Sequence, residues 1–337
     1  MTSISLHWLR RPALAGVTLA LAAVIVAACN GPTASGGMNA LPADRRLPRT
    51  KPSPTPYQFN FSTLNDPGST TFNRVMGVDQ LGQIVGYYGR GTASDPSDGY
   101  SSLVPYTKFQ SVDYPSAIDT VPTSLSDTRI LAGYFVDSTK GHHTWGFMKN
   151  RGIWSQYKDY RTPKGPNSVN ELLGVNDSGI AVGFYIDSYG NDKPYELATN
   201  GYHAISPPGA KSAMATGINQ LGDISGTETL ASSSGTVGWI LRSGTFTDFA
   251  YPDAKSTEAL SINFQDQIVG YYVDSKGTHG FILTNPQSPN QRTWQSVDEP
   301  DAAPGTTVIT AMNNHHQICG YYVDKYGNTN GFTATVK

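Results

Sequence analysis

An internal repeat restricts the fold of this chain more than any other feature. Val175-Asn176-Asp177-Ser178-Gly179-Ile180-Ala181-Val182-Gly183 and Ile262-Asn263-Phe264-Gln265-Asp266-Gln267-Ile268-Val269-Gly270 are copies of one pattern. The glycines that align fall at Gly86, Gly133, Gly183, Gly226, Gly270 and Gly320, 43 to 50 residues apart. A unit of that length is one piece of supersecondary structure. It cannot bury its apolar surface alone and must pack against its neighbours.

Each unit reads as four short strands. The first ends near Ile218-Asn219 or Ile262-Asn263, and a tight turn such as Asn176-Asp177-Ser178-Gly179 follows. Asn and Gly suit the left-handed backbone angles of such turns. The second strand is Ile84-Val85-Gly86-Tyr87-Tyr88 and its relatives. A turn such as Asp274-Ser275-Lys276-Gly277 leads to a third strand that begins Gly280-Phe281 or Gly331-Phe332. The fourth, as in Gln110-Ser111-Val112-Asp113, ends in a recurrent Asp-x-Pro. No window carries a sustained helical period. Six such units predict an all-β fold, a six-bladed β-propeller, because a closed ring leaves only short outer edges exposed. The chain stops after a third strand and begins with an unmatched fourth strand at residues 57–64. The expectation is that this N-terminal strand pairs with the last blade and closes the ring. An open solenoid is the alternative, disfavoured because no polar capping repeat is present.

From Tyr57 to the C-terminus the units resemble the HAF-type extracellular repeats, which carry a His-Ala-Phe tripeptide after an Asn-x-x-Gly-x-x-x-Gly core. Here the tripeptide reads His279-Gly280-Phe281, Trp145-Gly146-Phe147, Asn330-Gly331-Phe332 and Val237-Gly238-Trp239. The His is therefore mostly replaced. The resemblance implies export and the repeat fold and assigns no activity.

Ahead of the repeats, Arg10 and Arg11 precede an apolar run from Pro12 to Ala28 that is short for a membrane span and ends in small residues, as a signal peptide does. Val26-Ala27-Ala28-Cys29 resembles the lipobox of bacterial lipoproteins. That resemblance implies a diacylglycerol on the Cys29 thiol, cleavage before it and acylation of the new amino terminus. Several acyl chains anchor stably to a lipid bilayer where one does not. Asn30 stands where an inner-membrane retention Asp is common in that family, which favours the outer membrane. The expected organisation is a signal peptide (1–28), a lipidated Cys29 with a Pro- and Gly-rich tether (29–56) and the repeat domain (57–337). Cys319 is then the sole thiol of the mature chain. It sits where sister repeats have Val85, Ala132 and Val269, and is expected to be a small buried hydrophobe.

Charged residues make up 15% of the chain and the net charge is −2, which argues against a nucleic-acid partner, since phosphate neutralisation needs a basic excess. The strand order sorts the loops. Turns after second strands and the links between blades share one face, and turns after first and third strands share the other. Asp137, Asp187, Asp274 and Asp324 therefore ring one mouth, with Asp113 and Asp298 near them and Tyr114, Tyr189 and Tyr326 interspersed. Asp with Tyr suits hydroxyl-rich ligands such as glycans. The same residues also fit plain turn chemistry, Asp opening an Asx-turn and Gly taking the left-handed position. Carboxylates on separate blades would not converge on calcium. His142-His143 and His315-His316 fall on opposite faces and lack a third ligand at metal spacing, so no metal or other cofactor is expected. The doublets Tyr87-Tyr88, Tyr271-Tyr272 and Tyr321-Tyr322 are expected to pack between blades. The fourth unit departs from the pattern, with Thr227-Glu228 in place of the aromatic doublet.

No Gly-x-Ser-x-Gly elbow, His-Glu-x-x-His, phosphate loop or sialidase Asp-box occurs. Two function classes remain. One is a non-catalytic surface binder or scaffold, a monomer presenting its Asp/Tyr face to a glycan or protein. The other is a polysaccharide hydrolase or lyase working in the central channel.

Overall fold

The computed structural model describes residues 56–89, 96–159, 161–165, 168–230 and 235–337; the export segment and Cys29 lie outside these. Six four-stranded antiparallel sheets form the blades of a β-propeller. Their first strands line the central channel: Asn73–Val78, Ala117–Leu125, Asn170–Val175, Ala210–Ile218, Ser256–Ile262 and Val308–Met312. Each neighbours the next, and the sixth neighbours the first. Within blades one to five the strands pair in chain order. In blade six, Thr329–Val336 pairs on its outer side with Phe59–Leu64, so Phe59 faces Val336 and Leu64 faces Gly331. Phe59 and Phe61 point to one side and pack with Phe332, whereas Leu64 joins Val75 and Cys319 on the other.

The repeated glycine has a physical cause. In each blade it sits in the second strand opposite a third-strand aromatic: Gly86–Tyr100, Gly133–Phe147, Gly183–Tyr195, Gly226–Trp239, Gly270–Phe281 and Gly320–Phe332. All six aromatics are fully buried. A Cβ on Gly183 would lie 1.9 Å from the Glu171 carbonyl oxygen, and one on Gly226 would lie 2.1 Å from the Trp239 ring. In all six blades the first-strand carbonyl closes the space a Cβ would need, and at Gly86, Gly133, Gly226 and Gly320 the aromatic ring crowds it too. A buried aromatic stabilises by about 2–3 kcal/mol through area alone.

Directly across from that glycine, every first strand carries a bulge. The register shifts fall at Val75/Gly77, Pro122/Ser124, Leu172/Gly174, Ala215/Gly217, Ala259/Ser261 and Ile309/Ala311. A bulge re-aims one side chain. Here the extra residues are Met76, Thr123, Leu173, Thr216, Leu260 and Thr310, and all six line the channel.

The turns after the first strands tie blade to blade. Asn219 Oδ1 accepts from the backbone N–H of Leu221 and of Asp223, both at 2.9 Å, while its Nδ2 donates to the Asn263 carbonyl of the next blade at 3.3 Å. Asn176, Asn263 and Asn313 donate likewise to Asn219, Asn313 and Asp79. Blades one and two have Asp79 and Ser126 at this place, without an amide donor. There the turn-to-turn contact that blades three, five and six also make remains: Gln80 N–H donates to Asp127 at 2.9 Å and Thr128 N–H to Asp177 at 3.2 Å.

Candidate functional site

The aspartates expected around one mouth are held by their own turns. Asp187 Oδ1 accepts the N–H of Tyr189 and Asn191, Asp274 Oδ1 those of Lys276 and Gly277, and Asp324 Oδ1 those of Tyr326 and Asn328. Asp137 accepts from Thr139, from the His143 N–H and from the Trp145 indole at 3.0 Å. Burial opposes its charge, but these donors outweigh burial and bring its carboxyl down to about 2. Asp113 takes the Gly99 N–H and the Ser111 hydroxyl, and Asp298 takes His279 at 2.9 Å. Tyr114 lies flat on Phe135 with ring centroids 3.7 Å apart, a packing role. Tyr189 and Tyr326 are the exposed aromatics of the set, at 88% and 78%, on the turn tips of blades three and six.

The channel between them holds the larger cavity. The six bulge residues form a constriction that separates two chambers. Toward the Asn turns lies a space of about 90 Å³. Toward the Asp turns lies one of about 410 Å³, within the range of small-molecule sites. Its walls include Arg74, Tyr134, Glu171, Tyr271, Tyr321 and Val308, and Thr278 and Thr306 stand at the mouth. Tyr87 of the first tyrosine doublet packs against Val121 and Tyr134 of the next blade as expected, but the chamber walls correct the expectation for the other two. Their strands alternate sides, so Tyr271 and Tyr321 face the chamber while Tyr272 stacks on Tyr251 at 3.6 Å and Tyr322 bonds Thr63.

Arg74 went unnoticed in the sequence because one residue in one repeat has no sister. Its position becomes visible once the first strands are aligned on their bulges. The residues opposite the first doublet position are Arg74, Val121, Glu171, Met214, Glu258 and Val308. Charged residues occupy odd blades and apolar ones even blades. The bulge ring alternates in the opposite sense, with Met76, Leu173 and Leu260 in odd blades and threonines in even ones. The propeller is thus built from three pairs of unlike blades.

The irregular fourth unit contains a buried carboxyl, with no ligand-sized space beside it. Glu228 and Glu258 are each 1% exposed, and burial raises both to about 7. Glu258 accepts the Thr236 hydroxyl at 2.8 Å, while neither Glu228 oxygen has a partner among the described residues. They adjoin a cavity of about 10 Å³, the size of one water. Cys319 is sealed in the core, its thiol pushed up to about 12 by burial. The histidine pairs stay on opposite faces: His143 bonds Asp137, and His316 stacks on Tyr57. Among the described residues no three His, Cys, Asp or Glu side chains are grouped to hold a metal.

No protein-family model and no curated protein sequence matches the chain. Solved structures do. A protein of unknown function from Dyadobacter fermentans is 9% identical with a TM-score of 0.51, over 82% of this chain and 98% of its own. A putative gluconolactonase is 12% identical (TM-score 0.48, 84% and 93% covered). A mutant of the Aleuria aurantia lectin bound to α-methyl-L-fucoside is 10% identical (TM-score 0.48, 79% and 92% covered). The likeness is one of fold. It says nothing of ligand or chemistry.

Proposed function

We propose that this chain is an exported, lipid-anchored, monomeric binding module that takes a hydroxyl-rich ligand, a glycan, at the mouth of its channel without cleaving it. The observation that carries this reading is the chamber of about 410 Å³, closed below by the bulge ring and walled by tyrosines and one arginine. Tyrosine gives a flat apolar ring and a hydroxyl, a pairing suited to sugars. The exposed rings of Tyr189 and Tyr326 belong to the turns on the same face. Retaining and inverting glycosidases use two carboxyl groups flanking one bond. Glu171 is the single carboxylate among the residues lining the chamber, which favours binding over hydrolysis.

A glycan array combined with product analysis tests the proposal. Leu173→Trp fills the chamber from its floor. Bound, uncleaved glycan that is lost from Leu173→Trp is the expected result; released product would establish the hydrolase or lyase instead. The anchor is tested separately. Cys29→Ala is expected to block lipid-dependent processing and move the protein out of the detergent phase, and detergent partitioning of a fully processed mutant would sink it.

A further inference from the structure

Arg74 is charged at any physiological pH and has no carboxylate partner among the described residues. Its Nη1 donates to the Tyr87 hydroxyl at 3.1 Å, and its Nε is buried with no acceptor. The guanidinium carbon lies 4.3 Å from the centre of the Tyr321 ring and 4.8 Å from that of Phe72, so two aromatic faces hold the plane of the group. Burial works against the charge, yet the phenols of Tyr321, Tyr87 and Tyr134 more than offset it and keep Arg74 above the ordinary guanidinium range. A cation held this rigidly, half-buried in the chamber wall, with neither a carboxylate partner nor a hydrogen bond on Nη2 among the described residues, offers a carboxylate a charge-assisted donor.

We infer that the chamber recognises the carboxylate of a monoanionic, hydroxyl-bearing small molecule, of which a uronic acid unit is the simplest form, with Arg74 as its anchor. This rests on the binding reading above and specifies its ligand. The charge balance of the wall selects the class. Arg74 is the single Lys or Arg among the lining residues, and Glu171 stands in the same wall. With one cation in the wall, a monoanion finds one partner for its one charge, whereas a phosphate dianion keeps a charge unpartnered and is repelled more strongly by Glu171. Tyr271 and Tyr321 offer hydroxyls to the remainder of the ligand, and the floor of Met76, Leu173, Leu260 and three threonines carries no second charge.

Calorimetric titration of the full-length protein in detergent with D-glucuronate, D-glucose, a hexose phosphate and benzoate tests this, on wild type, Arg74→Gln and Arg74→Lys. Glucuronate is expected to bind at least tenfold more tightly than glucose and than the phosphate. Arg74→Gln is expected to abolish that preference and Arg74→Lys to keep part of it. The melting temperature of each variant confirms that it is folded, and Arg74→Lys serves alone where the glutamine variant is not. Equal binding of glucuronate and glucose, or a preference that survives in both variants, overturns the inference and leaves the glycan reading standing. Arg74-dependent binding of benzoate without any sugar supports carboxylate recognition and overturns the glycan. Binding of none of the four overturns both.

Discussion

Two buried carboxyls, Glu228 and Glu258, are expected to give this propeller a pH-dependent stability. Glu258 stands at about 7 in the fold against an ordinary 4.5, because burial penalises its charged form. Between those two values the folded chain holds a proton that the unfolded chain has released. Stability is therefore full below about pH 4.5 and falls as pH rises toward 7, by at most about 1.4 kcal/mol per pH unit from this group. Glu228, buried with both oxygens unpartnered among the described residues, adds a loss of the same sign. Asp137 acts oppositely: its stabilisation is present above its ordinary range and disappears as pH falls through about 2. Denaturant melts of wild type, Glu228→Gln and Glu258→Gln at pH 5 and pH 8 are expected to show a loss of stability in the wild type that each glutamine reduces. Parallel pH profiles for all three proteins would contradict the burial argument.

At the scale of one element, the turn after the first strand in blades three to six does two jobs with one side chain. The asparagine oxygen shapes its own turn and the amide nitrogen joins the next blade, so only Asn serves both. Asn219→Asp keeps the acceptor for Leu221 and Asp223 but replaces the donor to Asn263 with an anion facing a carbonyl. It also places that anion near Asp223, whose side chain currently accepts from Asn219 at 3.1 Å. The expected cost is about 1–3 kcal/mol, the range for a buried group left without its bond. Asp79→Asn runs the exchange in reverse. It introduces the missing donor in blade one and removes repulsion from Asp127, which together with burial holds Asp79 above the usual carboxylate range. Urea melts are expected to rank Asp79→Asn at or above wild type and Asn219→Asp clearly below it.

Over the whole molecule, the first described strand is the one that joins segments far apart in the chain within a single blade. It pairs with Thr329–Val336 through six residue pairs, and the Tyr57 that precedes it bonds Gln295 by backbone N–H and carbonyl and Gln267 by its hydroxyl, reaching from blade six to blade five. Removing it exposes the edge of Thr329–Val336 and the rings of Phe59 and Phe61. Deleting residues 57–64 is expected to cost several kcal/mol, judged from the area of one packed strand with its aromatics. Deleting a similar length of tether, residues 34–41, is expected to leave the melting temperature unchanged. Equal melting temperatures for both deletions and wild type would mean that the ring does not depend on this pairing.

Repeat length, the glycine opposite an aromatic and the Asn turns are local requirements, so the sequence alone sufficed to read six blades and the face on which each turn falls. Each requirement is met within one hairpin or between adjacent strands, and each recurs until it is unmistakable. The Asp-Ser-x-Gly turns were legible for the same reason, as turns. The chamber was not. It is formed by one residue from each of several blades, brought together by ring closure across separations of up to some 250 residues, as between Arg74 and Tyr321. Alternation puts the two members of a tyrosine doublet on opposite sides, but that one of those sides looks onto a chamber depends on how the blades meet around the ring. That Arg74 meets phenols and, among the described residues, no carboxylate is decided by the packing of blade six against blade one. The sequence sets the blade, because a blade is made from neighbours in the chain; the site belongs to the tertiary structure, because its parts are neighbours only in space.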